Sequence, residues 1–285
     1  MQMKKLKSII VLIACLTFSP AFARLLENGA FDQINNSIAV GVTGLNLKYW
    51  EYFFPSMEDD PRSKSTEAGT IVGAFLNVRK AIMEKIYTDL SLDYYSGKLK
   101  YDGSDRKTFA PLKGKFLHKF FDADFKSGYI FTFTEGNSLQ VIPYIGAGYR
   151  YWDRLNNTAS REKYQHYKAV VGLKLNWLLT DDFILSPYVE GGKIFNARMK
   201  FCGNDKDDAS LHGSNYKLGN KPIYTAGLEL NYKIFDEFFL NGFASYTQFK
   251  YGRSAPQPIN GSVEPDSKTN EIKFGFGVRY SWMIN

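Results

Sequence analysis

NEIKFGFGVRYSW, residues Asn270 to Trp282, carries two different surfaces on one stretch. Ile272, Phe274, Phe276, Val278, Tyr280 and Trp282 share one parity, and Glu271, Lys273, Gly275, Gly277, Arg279 and Ser281 share the other. Successive side chains of a strand point to opposite faces, so the stretch predicts a strand with one wholly apolar face and one polar, glycine-punctuated face. A helical period does not produce this division. A half-buried strand of a soluble sandwich also alternates, but its inner face is seldom so regularly aromatic. The pattern fits better with an apolar face against lipid and a polar face lining the inside of a closed barrel.

The division recurs along the chain. Ile38, Val40 and Val42 open a first strand at Ser37, and the apolar parity then passes to Leu45, Leu47 and Tyr49, which predicts a bulge at Gly44. A second strand, 68–80, turns Val72, Ala74, Leu76 and Val78 outward and Asn77 and Arg79 inward. The third sets Leu90, Leu92 and Tyr94 against Asp89, Ser91 and Asp93, and the fourth, 120–134, sets Phe121, Phe125, Tyr129, Phe131 and Phe133 against Asp122, Asp124 and Lys126. In the fifth and sixth, Arg150, Lys168 and Lys174 lie on the inward parity. The seventh, 183–199, carries Glu190 inward, with a bulge expected at Gly191-Gly192 to re-register Lys193. The eighth alternates Tyr224, Ala226, Leu228, Leu230 and Tyr232 with Glu229 and Lys233, the ninth runs to Tyr251, and the quoted stretch is the tenth.

Connections after even-numbered strands are short, and those after odd-numbered strands are long: 51–67, the basic 97–118, 153–163, 200–221 and 252–269. A soluble sandwich has no reason to sort loop lengths in this way. The reading is therefore an all-β fold, a single ten-stranded antiparallel transmembrane β-barrel over 37–285, with short periplasmic turns and long extracellular loops.

The ends agree with export. Lys4, Lys5 and Lys7 precede an apolar run, and Ala21-Phe22-Ala23 offers a small-x-small cleavage site, so 1–23 reads as a secretory signal peptide. Leu12-Ile13-Ala14-Cys15 offers the alternative of a lipidated Cys15, and 24–36 reads as a polar, unpatterned periplasmic lead. The full chain has a formal charge of +7; losing the three signal lysines leaves 33 basic against 29 acidic residues, a net of +4. That balance is too mild to argue for nucleic acid. Cleavage also leaves Cys202 as the one cysteine, so no intrachain disulfide is expected.

The run Tyr144-Ile145-Gly146-Ala147-Gly148-Tyr149-Arg150-Tyr151-Trp152, the Tyr101-Asp102-Gly103 that follows a strand, and the aromatic closing strand resemble those of bacterial outer-membrane β-barrel proteins. The resemblance implies insertion by the outer-membrane assembly machinery, which reads an aromatic terminal strand; here Met283-Ile284-Asn285 follow the last aromatic, Trp282. Ten strands are also the number in the omptin family of outer-membrane proteases, whose catalytic Asp and His residues lie on facing external loops. The residues to compare are Asp102 and Asp105 on one side and Asp207, Asp208 and His212 on the other. Their spacings are wider than that family's, so no catalytic residue is assigned and no peptidase activity is expected. His118, His166 and His212 lack metal-ligand spacing, and neither a metal nor a cofactor is expected. The lumen-lining set is Asp89, Asp93, Asp122, Asp124, Arg150, Lys168, Lys174, Glu190, Glu229, Lys233, Lys273 and Arg279. Buried charges of both signs must pair, which predicts a largely filled lumen and places the working surface on the external loops. A narrow solute channel is the alternative. Expected partners are membrane lipid and the phosphates of lipopolysaccharide, with the surface ligand left unnamed.

Overall fold

Strand pairing, followed from one edge of the sheet, returns to its start. The computed structural model describes residues 29–52, 64–104, 110–133, 138–155, 161–202, 214–258 and 261–282. A helix, α1 (Gly29–Asn35), precedes strands β1 (Ser37–Tyr52), β2 (Lys64–Ile82), β3 (Ile86–Ser104) and β4 (Pro111–Tyr129). The fourth strand resumes after Ile130 as β5 (Phe131–Phe133), and then come β6 (Leu139–Leu155), β7 (Arg161–Thr180) and β8 (Phe183–Phe201). The short β9 (Asn215–Lys217) leads to β10 (Pro222–Lys233), β11 (Phe238–Tyr251) and β12 (Asp266–Ser281). Each neighbouring pair is antiparallel; β12 bonds to both β11 and β1, and β10 bonds to β8, so the barrel closes. With β5 and β9 as short continuations, the wall has the ten strands expected.

The apolar parity of the quoted stretch faces outward: Ile272, Phe274, Phe276 and Val278 are 43–56% exposed, while Arg279 on the other parity is 1% exposed. Equivalent exposed apolar residues on every long strand, such as Val72, Leu90, Phe125, Ile145, Val171, Val189 and Leu228, form a continuous belt. Among the described residues no helix is long and apolar enough to cross a membrane. The spanning elements are the strands.

Strand length shows what the belt leaves out. A membrane-spanning strand needs about 9–11 residues, whereas β2, β3 and β8 have 19 and β7 has 20. The belt begins at the short turns, at Ile82 and Ile86. The surplus therefore stands clear of the membrane on the long-loop side, and much of what reads as loop is strand: β3 continues to Ser104 and β4 starts at Pro111, inside the segment 97–118.

Two expected bulges are absent. The registers of β1 with β2 and β12 run unbroken through Gly44, so the change of apolar parity is not a slip. Ile38, Val40 and Val42 face lipid, while Leu45, Leu47 and Tyr49, each 1% exposed, face the interior of the extension. Once a strand leaves lipid, water is outside and the apolar residues turn inward. Pairing is also regular at Gly191 and Gly192, which leaves Lys193 on the outer face. One irregularity of this pair lies by the turn, between Leu178 and Thr180, and the other lies higher, where β7 goes from Gln165 to Tyr167 while β8 goes from Arg198 to Phe195, and Asn196 there has φ 50°. Asn tolerates that left-handed conformation at a bulge.

The segment read as an unpatterned lead contains α1. Phe31 and Ile34 are buried against Ile184 and Phe239, which seats the helix in the mouth of the barrel at the short-turn end. Its last carbonyls are not left unmade: Asn36 Nδ2 donates to Asp32 O at 2.9 Å and Ser37 Oγ donates to Ile34 O at 2.8 Å.

Candidate functional site

The interior is a column of four tiers. At the bottom, Asn35 of α1 donates from Nδ2 to Gln140 Oε1 at 2.9 Å, Asn176 Nδ2 donates to the same oxygen at 3.2 Å, and Ser186 Oγ donates to Asn176 Oδ1 at 2.9 Å. Gln33 Nε2 reaches the backbone of the turn at Asp236 O, 2.7 Å away. These bonds and the buried Phe31 and Ile34 hold α1 in the mouth.

Above it, Glu229 gathers three cations. Arg79 donates to both its oxygens at 2.8 and 2.6 Å, Arg279 Nη2 at 3.0 Å and Lys174 Nζ at 3.2 Å, with Asn231 and Asn241 completing the shell. Arg79 Nε also binds Asp89 at 2.8 Å, and Tyr87 and Asn77 bind that carboxylate from the other sides. Each element contributes through its inward parity, β2, β3, β7, β10 and β12 in turn.

The third tier holds further ion pairs, three of them one-to-one and the fourth cation, Arg150, shared between two carboxylates. Lys168 meets Asp124 at 2.9 Å, Lys273 meets Asp93 at 2.5 Å, and Lys126 meets Glu190, which also accepts from Tyr144 OH at 2.8 Å. Arg150 grips Asp122 with two bonds of 2.7 Å and reaches Glu271 with its far edge. In these two tiers seven cations face seven carboxylates among the described residues. Two cavities of about 100 and 130 Å³ remain among these tiers, sharing Lys126, Tyr188 and Lys273 in their linings.

The fourth tier fills the extension. Trp152 stacks on Phe120 at 5.2 Å and Tyr164 at 4.7 Å and takes Tyr49 edge-on at 5.0 Å, and Tyr251 stacks on Tyr164 at 5.9 Å. Leu45, Ile194, Ile223 and Phe249 complete an apolar block with Trp152 1% exposed. The Arg150 guanidinium lies 5.5 Å from the Phe120 ring, joining the pairs below to the aromatics above.

Buried in the same extension is a polar group. Trp152 Nε1 donates to His118 Nδ1 at 3.0 Å. An indole N–H is only a donor, so Nδ1 must accept, and the ring proton sits on Nε2, 3.1 Å from Glu67 Oε2. Glu67 also pairs with Arg154, which reaches Glu51 at 3.1 Å and Glu162 at 2.5 Å. Burial drives the Glu67 carboxyl up, but Arg154 and His118 outweigh it and hold the group below the usual carboxylate range. Burial, reinforced by neighbouring carboxylates, pushes the Tyr49 and Tyr164 hydroxyls well up, so both stay proton donors, to Glu51 at 3.0 Å and Glu264 at 2.7 Å. His118 is 0% exposed and Glu67 1%, so no substrate reaches them as they stand.

Of the twelve lumen residues expected from sequence, eleven enter these networks. Lys233 lies on the inward parity but at the mouth, where its nearest carboxylate is that of the exposed Asp236 at 3.9 Å. Sequence reasoning left Glu271, Lys126 and Arg79 out of the set, although their parity was visible. It missed Glu67, His118, Trp152 and Arg154 as a group because their segments read partly as loop. Of the residues compared with a protease, Asp102 lies on the outer wall, 3.7 Å from Lys113, with its side chain 68% exposed; Asp105, Asp207, Asp208 and His212 lie outside the described residues. Among the described residues no three His, Cys, Asp or Glu side chains form a metal-ligand group.

A closed ten-stranded barrel with an apolar belt, aromatic at both rims and polar within, is an outer-membrane β-barrel. No protein-family model and no curated protein matches the chain. Among solved structures it is similar to the outer-membrane protease OmpT of Escherichia coli, with a TM-score of 0.58 and 10% identity over 92% of this chain and 100% of that one. Lower likenesses are to OprG of Pseudomonas aeruginosa (TM-score 0.39, 12% identity, 87% of this chain and 95% of that one) and to Neisserial surface protein A (0.34, 11%, 86% and 97%). The OmpT likeness is one of fold; the other two are too low to support an argument. The location in the bacterial outer membrane accords with the belt.

Proposed function

We propose that this is a closed outer-membrane barrel with a structural lumen, whose work is done by the outer surface of its extracellular half. The observation that supports the reading is the blocking at both ends: an aromatic block occupies the extension, α1 occupies the opposite mouth, and balanced charges line the space between, leaving two cavities of about 100 and 130 Å³. Barrels of about eight strands are just filled by side chains, and ten lie near that end. Planar-bilayer recording of the folded chain tests it, with only brief, small openings expected. A large, stable conductance would sink the reading in favour of a channel.

A second reading, a surface protease, is favoured by the OmpT-like fold, but fold does not settle chemistry. We expect no peptidase activity, because Asp102 faces outward and the His118–Glu67 pair is sealed. Cleavage of basic peptides by purified folded protein, abolished by His212→Ala, would reverse this.

A further inference from the structure

Lysines stand directly opposite lysines on the outer wall of the extension. Lys100 on β3 pairs in register with Lys115 on β4, Lys163 on β7 with Lys200 on β8, and Lys250 on β11 with Lys268 on β12. Their neighbours Leu99, Phe116, Tyr164, Met199, Phe249 and Ser267 are buried inside, so all six lysines project outward. Like charges directly opposed across a sheet are unfavourable. No ion pair joins any of the six to a carboxylate among the described residues: on the same wall Asp102 is engaged by Lys113, Asp153, which stands in register with Lys163, is engaged by Arg161, and Asp266 accepts from the Arg253 backbone N–H. A further side of the wall repeats the theme: Trp50 on β1 has the ammonium groups of Lys48, Lys64 and Lys268 at 4.9, 5.7 and 5.8 Å from its ring.

This charge has a defined height. The six lysines lie four to six residues above the top of the belt at Tyr94, Phe121, Tyr167, Phe195, Tyr246 and Ile272. At about 3.3 Å per residue and a tilt of about 40°, that is roughly 10–15 Å above the hydrocarbon edge. The side chains point sideways, as the belt does, and occupy several sides of the barrel.

We propose that this collar binds the phosphate groups of the phosphorylated glycolipid headgroups packed around the barrel in the outer leaflet. The bound anions relieve the lysine–lysine repulsion that the fold otherwise carries. A soluble polyanion docks from one side; a surrounding lipid layer presents phosphate to all sides at one height, which is how the lysines are arranged. The inference rests on the membrane-seated barrel but not on the closed lumen, so bilayer conductance and lipid binding can fail separately.

The test uses folded protein in neutral detergent, with thermal unfolding followed as loss of the heat-modifiable gel form. The probes are diphosphorylated lipid A, the same lipid after removal of its phosphates, and heparin. Phosphorylated lipid A should raise the unfolding temperature, less so as salt rises, and the dephosphorylated lipid should not. Lys100→Gln with Lys163→Gln and Lys250→Gln should be at least as stable as the parent without lipid, yet lose about tenfold or more in affinity for phosphorylated lipid A. The three corresponding Lys→Arg changes should keep that affinity. Equal effects of the two lipids, unchanged affinity in the Gln variant, or a Gln variant less stable without lipid would each overturn the proposal. Tighter binding of heparin than of lipid A would overturn the lipid as its source.

Discussion

Glu229 accepts bonds from Arg79, Lys174 and Arg279, and the nearest other carboxylate in that tier is Asp89. Neutralising it leaves three buried cations against one anion. Glu229→Gln should cost about 3–5 kcal/mol, seen as a lower urea midpoint for the folded, heat-modifiable form; a loss under about 1 kcal/mol would mean that water already screens this tier. The glycines of the closing strand have an equally local cause. A Cβ at Gly275 would lie 2.4 Å from the Phe243 ring, and one at Gly277 would lie 2.2 Å from the Val40 carbonyl and 2.9 Å from the Phe75 ring. The punctuation in NEIKFGFGVRYSW makes room for two lumenal rings that meet edge-on at 5.1 Å. In the extension, Glu67 supplies a pH dependence. Its native carboxyl sits below the ordinary value of 4.5, so the stability it contributes is complete above about pH 4.5 and is lost as pH falls through the lower native value. Unfolding midpoints measured from pH 6 to pH 3 should fall less steeply in Glu67→Gln than in the parent, and identical slopes would remove Glu67 from the account.

Most of the long strands are two elements in series, a lipid-spanning half and an extension, and this decides what the sequence made readable. In the lipid-spanning half, apolar-out and polar-in residues alternate without exception on β12, and Asp89, Asp122, Arg150, Lys174 and Glu229 lie on the inner parity of their own strands. In the extension the rule inverts. Leu99 and Tyr101 between Lys98, Lys100 and Asp102 look like a charged loop with stray apolar residues, because an inward apolar face beside an outward lysine face has no lipid side to announce it. The switch at Leu45 looked like a bulge for the same reason. The helix α1 was invisible because seven residues with Phe31 and Ile34 as its buried anchors give no second turn of periodicity. Turn chemistry was the other unread detail. Met83 and Glu84 have φ of 51° and 59°, and Lys85 N donates to Ile82 O at 3.2 Å, a type I′ turn made by two residues that disfavour it. Replacing them by Asn and Gly should raise stability by about 1 kcal/mol, measurable as a higher urea midpoint without loss of the folded gel form; no gain would show that neighbouring contacts hold this turn regardless of its residues.

At the scale of the whole barrel, the proposed closed lumen rests on two separate blocks of side chains. The aromatic block hangs from β1, β4, β6, β7 and β11 of the extension, and α1 enters the far mouth from outside the sheet and bonds to Gln140 and the turn at Asp236. Neither seal touches the other, since two tiers of charge lie between them. Removing one should therefore leave the other in force. A chain refolded from Asn36 onward lacks α1 but keeps the backbone bond from Trp282 N to Asn36 O at 3.0 Å, and it should fold, remain heat-modifiable and conduct no more than the parent. Trp152→Ala with Tyr164→Ala and Phe249→Ala should also stay silent, held shut by α1 from the other end. Only the two changes together should open a passage, and it should be narrow and weakly ion-selective, because the seven cations and seven carboxylates that would line it cancel. A stable conductance from the chain lacking α1 alone would show that the aromatic block does not seal, and with that the closed-lumen reading would fail.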